Sequence, residues 1–286
     1  MTTTAIAPVA ARPGPAVLMV LGSCVSLQVG AALAAGLFPA TGSAGATLLR
    51  LGLAAGVLLA LVRPAVRAWR SHQWRAVALL GLSMAGMNGF FYAAIERIPL
   101  GPAVTIEFLG PLTLAAVLSR RLRDFGWVLL AAAGVALLGF ADGAADLDPV
   151  GVAYVLIAAV FWALYILAGS HAGAAVQGQG GLAVAMAIGA LLLVPGGAVG
   201  AGQALASPHL LLLALGTGVL ASVIPYTLEI SALRRLPKRT FGILLSLEPV
   251  VAATAGWLLL AQPLNWAGGV AMVVVVLASI GSTTLS

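Results

Sequence analysis

The chain has 286 residues, of which 62% are hydrophobic and only 8% charged. A soluble domain is roughly half apolar and a quarter charged, so this composition excludes an ordinary water-soluble fold. The net charge of +6 does not point to a nucleic acid, because the basic residues lie in short loops between apolar runs, where membrane topology accounts for them.

The pattern predicts an all-α integral membrane protein with ten transmembrane helices. In chain order they fall at 16–37, 44–62, 76–94, 100–119, 125–140, 150–169, 181–199, 209–230, 240–260 and 266–284. Residues 1–15 carry Arg12 and read as a cytoplasmic tail. The apolar run that follows is too long for the core of a cleavable signal peptide, so it is taken as the first span. Ala, Leu, Val and Gly dominate the spans, and small residues let helices approach closely in lipid. The single cysteine, Cys24, lies within a span and rules out an intrachain disulfide.

Orientation is read from Lys and Arg. Arg63, Arg67, Arg70 and Arg75 fall between spans two and three, and Arg120, Arg121 and Arg123 between four and five. Arg234, Arg235, Lys238 and Arg239 fall between eight and nine. An even number of spans with both termini inside puts all of these, and Arg12, in the cytoplasm. Arg97 beside Glu96 is then outside, as is the acidic loop 142–148, and Arg50 lies within a span.

The sequence also repeats at an offset of 138 residues. Pro99 falls on Pro237, Pro111 on Pro249 and Cys24 on Trp162, and ERIPLG at 96–101 answers RRLPKR at 234–239. The expected halves are 16–140 and 150–286, with five spans each. Five is odd, so the second half enters the membrane inverted. Inverted repeats are a transporter signature and place a binding site near the midplane.

Charge inside a span is costly and needs a reason. Glu107, in TIEFLGPL at 105–112, stands seven residues into span four, about 10 Å from its outer end. It is a candidate proton or substrate-amine site; the plainer reading is a structural carboxyl paired with Arg50 or a hydroxyl. Glu248, in SLEP at 246–249, occupies a similar place in span nine. Pro111 and Pro249 each remove a backbone donor and free the carbonyl four residues earlier. In lipid such backbone is tolerated only where protein or a water-lined cavity satisfies it. Arg50 could neutralise either glutamate or hold a substrate carboxylate. Glu229 ends span eight near Arg234 and Arg235, where an ion pair is the simpler reading. Gln28, Asn88, Tyr92, Tyr165, Tyr226 and Ser246 are polar groups that are costly to leave unpaired. Singly each reads as helix-to-helix glue, and as a set they could line an amino-acid site. Trp162 reads as packing or a site wall. No HExxH and no Cys/His cluster is present, so no metal or cofactor is expected.

These residues carry a resemblance. MNGFFYAAIERIPLGPAVTIEFLGPL at 87–112 and IPYTLEISALRRLPKRTFGILLSLEPVVAA at 224–253 resemble the threonine/homoserine exporters of the EamA-type branch of the drug/metabolite transporter superfamily. FWALYILAG at 161–169 and FGWVLLAAAG at 125–134 are similar to the same family, and the likeness covers residues 16–284. It implies a ten-helix exporter of the bacterial inner membrane with paired EamA repeats. It implies export of L-threonine, L-homoserine or similar small amino acids, with proton entry as the driving force. It puts Gln28, Arg50, Asn88, Glu107, Glu229 and Glu248 on functional positions. One departure is Gln262-Pro263, where many such repeats have an acidic residue; Asp124 keeps that feature in the first half.

Two other classes compete. The same architecture could export a cationic drug, a polyamine or a purine, but aromatic residues are only 6% of the chain, which disfavours flat, bulky substrates. An intramembrane enzyme would need a nucleophile–base pair or metal ligands at depth, and the spans hold neither. The sequence does not define an oligomeric state.

Overall fold

The computed structural model describes residues 13–119, 122–140, 147–233, 235, 244–263 and 266–284. The N-terminal tail, Arg120, Arg121, most of the acidic loop and most of the segment 234–243 lie outside the described residues. Everything described is helix or short connection. Among the described residues twelve α-helices follow one another: α1 Pro13–Ala35, α2 Phe38–Val62, α3 Ser71–Ile95, α4 Leu100–Glu107, α5 Leu109–Ser119 and α6 Leu122–Phe140. They continue with α7 Pro149–Ala175, α8 Gly180–Leu205, α9 Pro208–Gly218, α10 Ile224–Leu233, α11 Glu248–Leu260 and α12 Trp266–Thr284. Among the described residues seven spans are long and apolar enough to cross a membrane, with α4 and α5 forming one of them and α9 and α10 another. Shorter apolar helices lie at Phe125–Gly134, Glu248–Leu260 and Gly268–Gly281.

Several helices outrun the apolar stretches that announce them. α3 begins at Ser71 rather than 76, and α7 runs on to Ala175 rather than 169. Hydropathy reports where side chains leave the hydrocarbon, whereas helical hydrogen bonding continues until a cap or turn stops it. Thus Gln73 accepts from the Arg70 N–H at 2.8 Å at the start of α3, and its amide donates to the Ala175 carbonyl at 2.8 Å at the end of α7. On the opposite side Asp148 caps α7 by accepting from Val150 N at 2.8 Å, and it pairs with Arg97 at 2.8 Å. Arg97 therefore turns to Asp148, which ties the loop after α3 to the start of α7.

α2 lies along α8, and α3 lies along both α7 and α8. α6 pairs with α12, α4 packs on α11, and α1 is wedged between α10 and α11. The core at these crossings is built largely from alanine, glycine and valine, with Tyr92, Leu51, Leu58 and Met84 as the larger fillers. Gly110 shows why. A Cβ there would collide with the carbonyl oxygen of Ala159, so the close passage of α5 over α7 requires glycine. The polarity of a soluble protein is inverted: Leu18, Leu61, Leu129 and Val199 face outward, while Arg50, Gln28, Glu107 and Glu248 are buried. Lipid is as apolar as leucine, so outward leucines cost nothing and small residues supply the packing.

Candidate functional site

The central helix of the site is α1. It brings two side chains to two carboxylates on the far half of the sequence. Gln28 Nε2 donates to Glu248 Oε1 at 3.0 Å, and Ser23 Oγ, whose single proton is shared with the Val20 carbonyl at 2.9 Å, reaches Glu229 Oε1 at 3.3 Å. The two contacts are five residues apart on α1, or about 7.5 Å along its axis. Glu229 therefore faces inward to α1. It makes no ion pair with Arg235; among the described residues the one ion pair is Arg97–Asp148. Arg234 lies outside them.

The second feature is a fault in the helix that carries Glu229. Between α9 and α10, residues Val219–Val223 wind as a π-helix, and Ile224 N–H reaches back five residues to the Val219 carbonyl. Pro225 follows and has no N–H to give the Ala221 carbonyl. Arg50 supplies that missing donor: Nη2 donates to Ala221 O at 2.6 Å and Nε to Ser222 Oγ at 3.0 Å. Ser26 on α1 donates to Leu220 O at 2.7 Å in the same turn. The guanidinium also lies over the Tyr92 ring, 5.2 Å from its centroid. Of its five N–H groups, two are thus spent on α9–α10 and none on a glutamate within ion-pair distance.

Glu107 is 7% exposed at the last residue of α4. It accepts no hydrogen bond from a described residue, yet Glu248 and Arg50 are close enough to act on it electrostatically. Beside it the helix is interrupted at Phe108, and the Phe108 ring meets Trp162 edge-on at 5.3 Å. Trp162 is thus a packing partner of the break. A second interruption, at Ser246 and Leu247, directly precedes Glu248 at the start of α11. Phe108 and Ser246 are 138 residues apart, the offset of the sequence repeat. Pro111 and Pro249 sit just beyond the two breaks, where the missing donors cost least.

The remaining candidates divide. Asn88 is buried but donates to the Met84 carbonyl of its own helix at 2.8 Å. Tyr165 and Tyr226 form a tilted ring pair 6.1 Å apart across α7 and α10. Tyr226 is near enough to Arg50 and all three glutamates to sense their charge. Ser246 is fully buried at the second break. Gln262, the departure from the family pattern, accepts from the Leu100 N–H at 3.0 Å and so ties the end of α11 to the first turn of α4. Three buried polar atoms have no partner among the described residues: Gln28 Oε1, Tyr92 OH and Thr217 Oγ1. Ser23, Ser26 and the π-turn were not singled out from the sequence. Ser23, Ser26 and Gly30 recur at helical spacing on one face of α1, and Pro225 stands inside a span; those were the available signals. Among the described residues no group of three or more His, Cys, Asp and Glu side chains could hold a metal.

A helical chain that buries carboxylates and a guanidinium while turning leucine outward is a multi-pass membrane protein with a polar interior. The EamA-like transporter family model matches residues 149–284. The threonine/homoserine exporter RhtA of Salmonella typhimurium (strain LT2) is 43% identical over 268 residues, covering 93% of this chain and 90% of its own. The exporter of the same name from Escherichia coli (strain K12) is 41% identical over the same coverage. The chain belongs to the EamA-like transporter family and is a transporter, not an enzyme. A solved crystal structure superimposes with a TM-score of 0.64 at 20% identity, over 95% of this chain and 97% of that one, a likeness of fold alone.

Proposed function

We propose that this protein exports small neutral amino acids, L-threonine and L-homoserine foremost, across the bacterial inner membrane in exchange for protons. The observation that carries the substrate is the 41–43% identity to threonine/homoserine exporters over 93% of the chain. Ten spans in two inverted five-helix halves, with both termini cytoplasmic, give the architecture. The matching breaks at Phe108 and Ser246 support the two-half reading, and the distribution of Lys and Arg supports the orientation.

A zwitterion needs an anionic partner for its ammonium and donors for its carboxylate. Glu107 and Glu248 are buried carboxylates without an ion-pair partner among the described residues, so they are suited to the ammonium and to a proton by turns. Arg50 retains N–H groups beyond the two that hold the π-turn, and these suit the carboxylate. In the cycle, the outward-open state takes a proton on Glu107 or Glu248. The halves rock, and the proton leaves to the cytoplasm as substrate binds. Glu229, Tyr165, Tyr226, Ser246 and Asn88 complete the surrounding set.

The test is uptake of labelled homoserine and threonine into proteoliposomes under an imposed pH gradient, with Glu107→Gln beside wild type. Gradient-driven accumulation that the variant loses, at equal protein level, is the expected result. A wild-type protein that moves neither amino acid under any gradient would remove the substrate assignment. A variant that keeps full proton-coupled transport would remove Glu107 from the coupling.

A further inference from the structure

Gln28 offers an observation that the exchange cycle does not use. Its residue is 2% exposed, its Nε2 is committed to Glu248 Oε1 at 3.0 Å, and its Oε1 has no partner. An amide has a donor end and an acceptor end, and a carboxyl group has two states that ask for opposite ends. Ionised Glu248 can only accept, so it takes the NH2 of Gln28. Protonated Glu248 gains an O–H, which is best met by the amide oxygen. Half a turn about the last side-chain bond of Gln28 satisfies each state in turn.

We propose that Gln28 is an amide switch that reads the charge of Glu248 and passes it to the seat of the substrate's ammonium group. This rests on the reading of the protein as a proton-coupled amino-acid exporter. With Glu248 ionised, the vacant Oε1 is an acceptor beside the carboxylate, and the two together accept from one ammonium. With Glu248 protonated, Oε1 turns to the acid and the NH2 takes its place, setting donor against donor where the ammonium would sit. Proton and substrate are thereby made exclusive by geometry as well as by charge. Unpaired amide groups at depth are costly, and both positions of the switch leave only one end unpaired until the ammonium arrives. Gln28 is thus a substrate-contacting residue whose free end is set by the state of Glu248.

The other groups around Glu248 do not supply the same device. Cys24 on α1, Glu229 and Tyr226 on α10, and Glu107 on α4 lie near enough to interact with its charge. Arg50 on α2 acts on Glu107 and Tyr226, and α12, which also packs on α11, carries no charged residue. Each of these changes the field at the carboxyl group. Only the Gln28 amide is hydrogen-bonded to it among the described side chains and can exchange a donor for an acceptor.

The experiment compares wild type with Gln28→Met, which keeps length and volume but has no such polar ends. Homoserine affinity of the intact protein in detergent is measured at an acidic and an alkaline pH. The expected result is a loss of roughly tenfold or more at alkaline pH, the worth of one hydrogen bond to a charged group, and little change at acidic pH. An equal loss at both values, or none at either, would overturn the switch. A second measurement needs no substrate and no Gln28 variant. In pH-difference infrared spectra of wild-type protein with 15N-amide-labelled glutamine, an isotope-sensitive amide band should move as the pH is stepped, and stay still in Glu248→Gln. A band that does not move in wild type overturns the switch even if amino-acid export stands. Wild-type protein that binds no amino acid yet shows the moving band would instead remove the export reading and keep the pair.

Discussion

Gly30 is where α1 touches the π-turn, and its replacement by alanine has a sign that can be worked out. A Cβ on Gly30 would lie 2.5 Å from Ala221 N, 2.6 Å from Ala221 Cβ and 2.9 Å from Ala221 Cα. Ordinary contact begins near 3.4 Å, so α1 must retreat by close to an ångström, and the obstacle is backbone that cannot rotate away. Overpacking of this kind costs about 1–3 kcal/mol. Alanine also has a better helix propensity than glycine by about 0.8–1.0 kcal/mol. At Gly30 the clash wins. At Gly56, where an added Cβ meets nothing within 4 Å, only the propensity remains. Gly30→Ala should therefore lower the melting temperature of the detergent-solubilised protein, and Gly56→Ala should leave it equal or higher. Transport should follow stability at Gly30, because the retreat of α1 carries Ser23 and Gln28 away from Glu229 and Glu248. The reasoning is refuted if both variants shift melting in the same direction, or if Gly30→Ala is as stable and as active as wild type.

Two further outcomes test the anchors. Arg50→Met leaves the Ala221 carbonyl and Ser222 hydroxyl without their donors and should cost roughly 1–3 kcal/mol in thermal melts without substrate. Arg50→Lys should fall between, since a point charge cannot reproduce the fork; a variant Arg50→Met that melts with wild type would disprove the anchoring role. At the α7 cap, the Arg97 hydrogen bond holds the Asp148 carboxyl below its usual range, helped by the Val150 N–H. A lowered folded value adds stability above the unfolded value of about 3.9, and that stability is lost as pH falls through the folded value. Asp148→Asn should flatten that acid-side fall in melting temperature, and an unchanged slope would show that the pair is immaterial.

Much of the site is legible in the sequence because charge in a span is expensive. Glu107, Glu248 and Arg50 can be picked out by eye in apolar runs, and they are buried in the fold. Pro111 and Pro249 mark the two helix breaks for an equally local reason, the missing N–H. What those side chains hold is not local. Arg50 looks like a counter-ion for a glutamate, yet it donates to a carbonyl and a hydroxyl of the π-turn. Glu229 looks like the partner of Arg234 and Arg235, yet it makes no ion pair with Arg235 and lies against Ser23 on the first helix.

The membrane class, the polar residues at depth and the places where helices must falter were determined by the sequence itself. Each follows from a property of single residues or their near neighbours: transfer cost, helical period, a ring in place of an N–H. The partner of each buried polar group, and the winding of Val219–Val223, were decided only by tertiary structure. VLASV can close either four- or five-residue backbone hydrogen bonds. Pro225 leaves the Ala221 carbonyl without a local donor, and Arg50 and Ser26, arriving from other helices, take up the carbonyls of this turn.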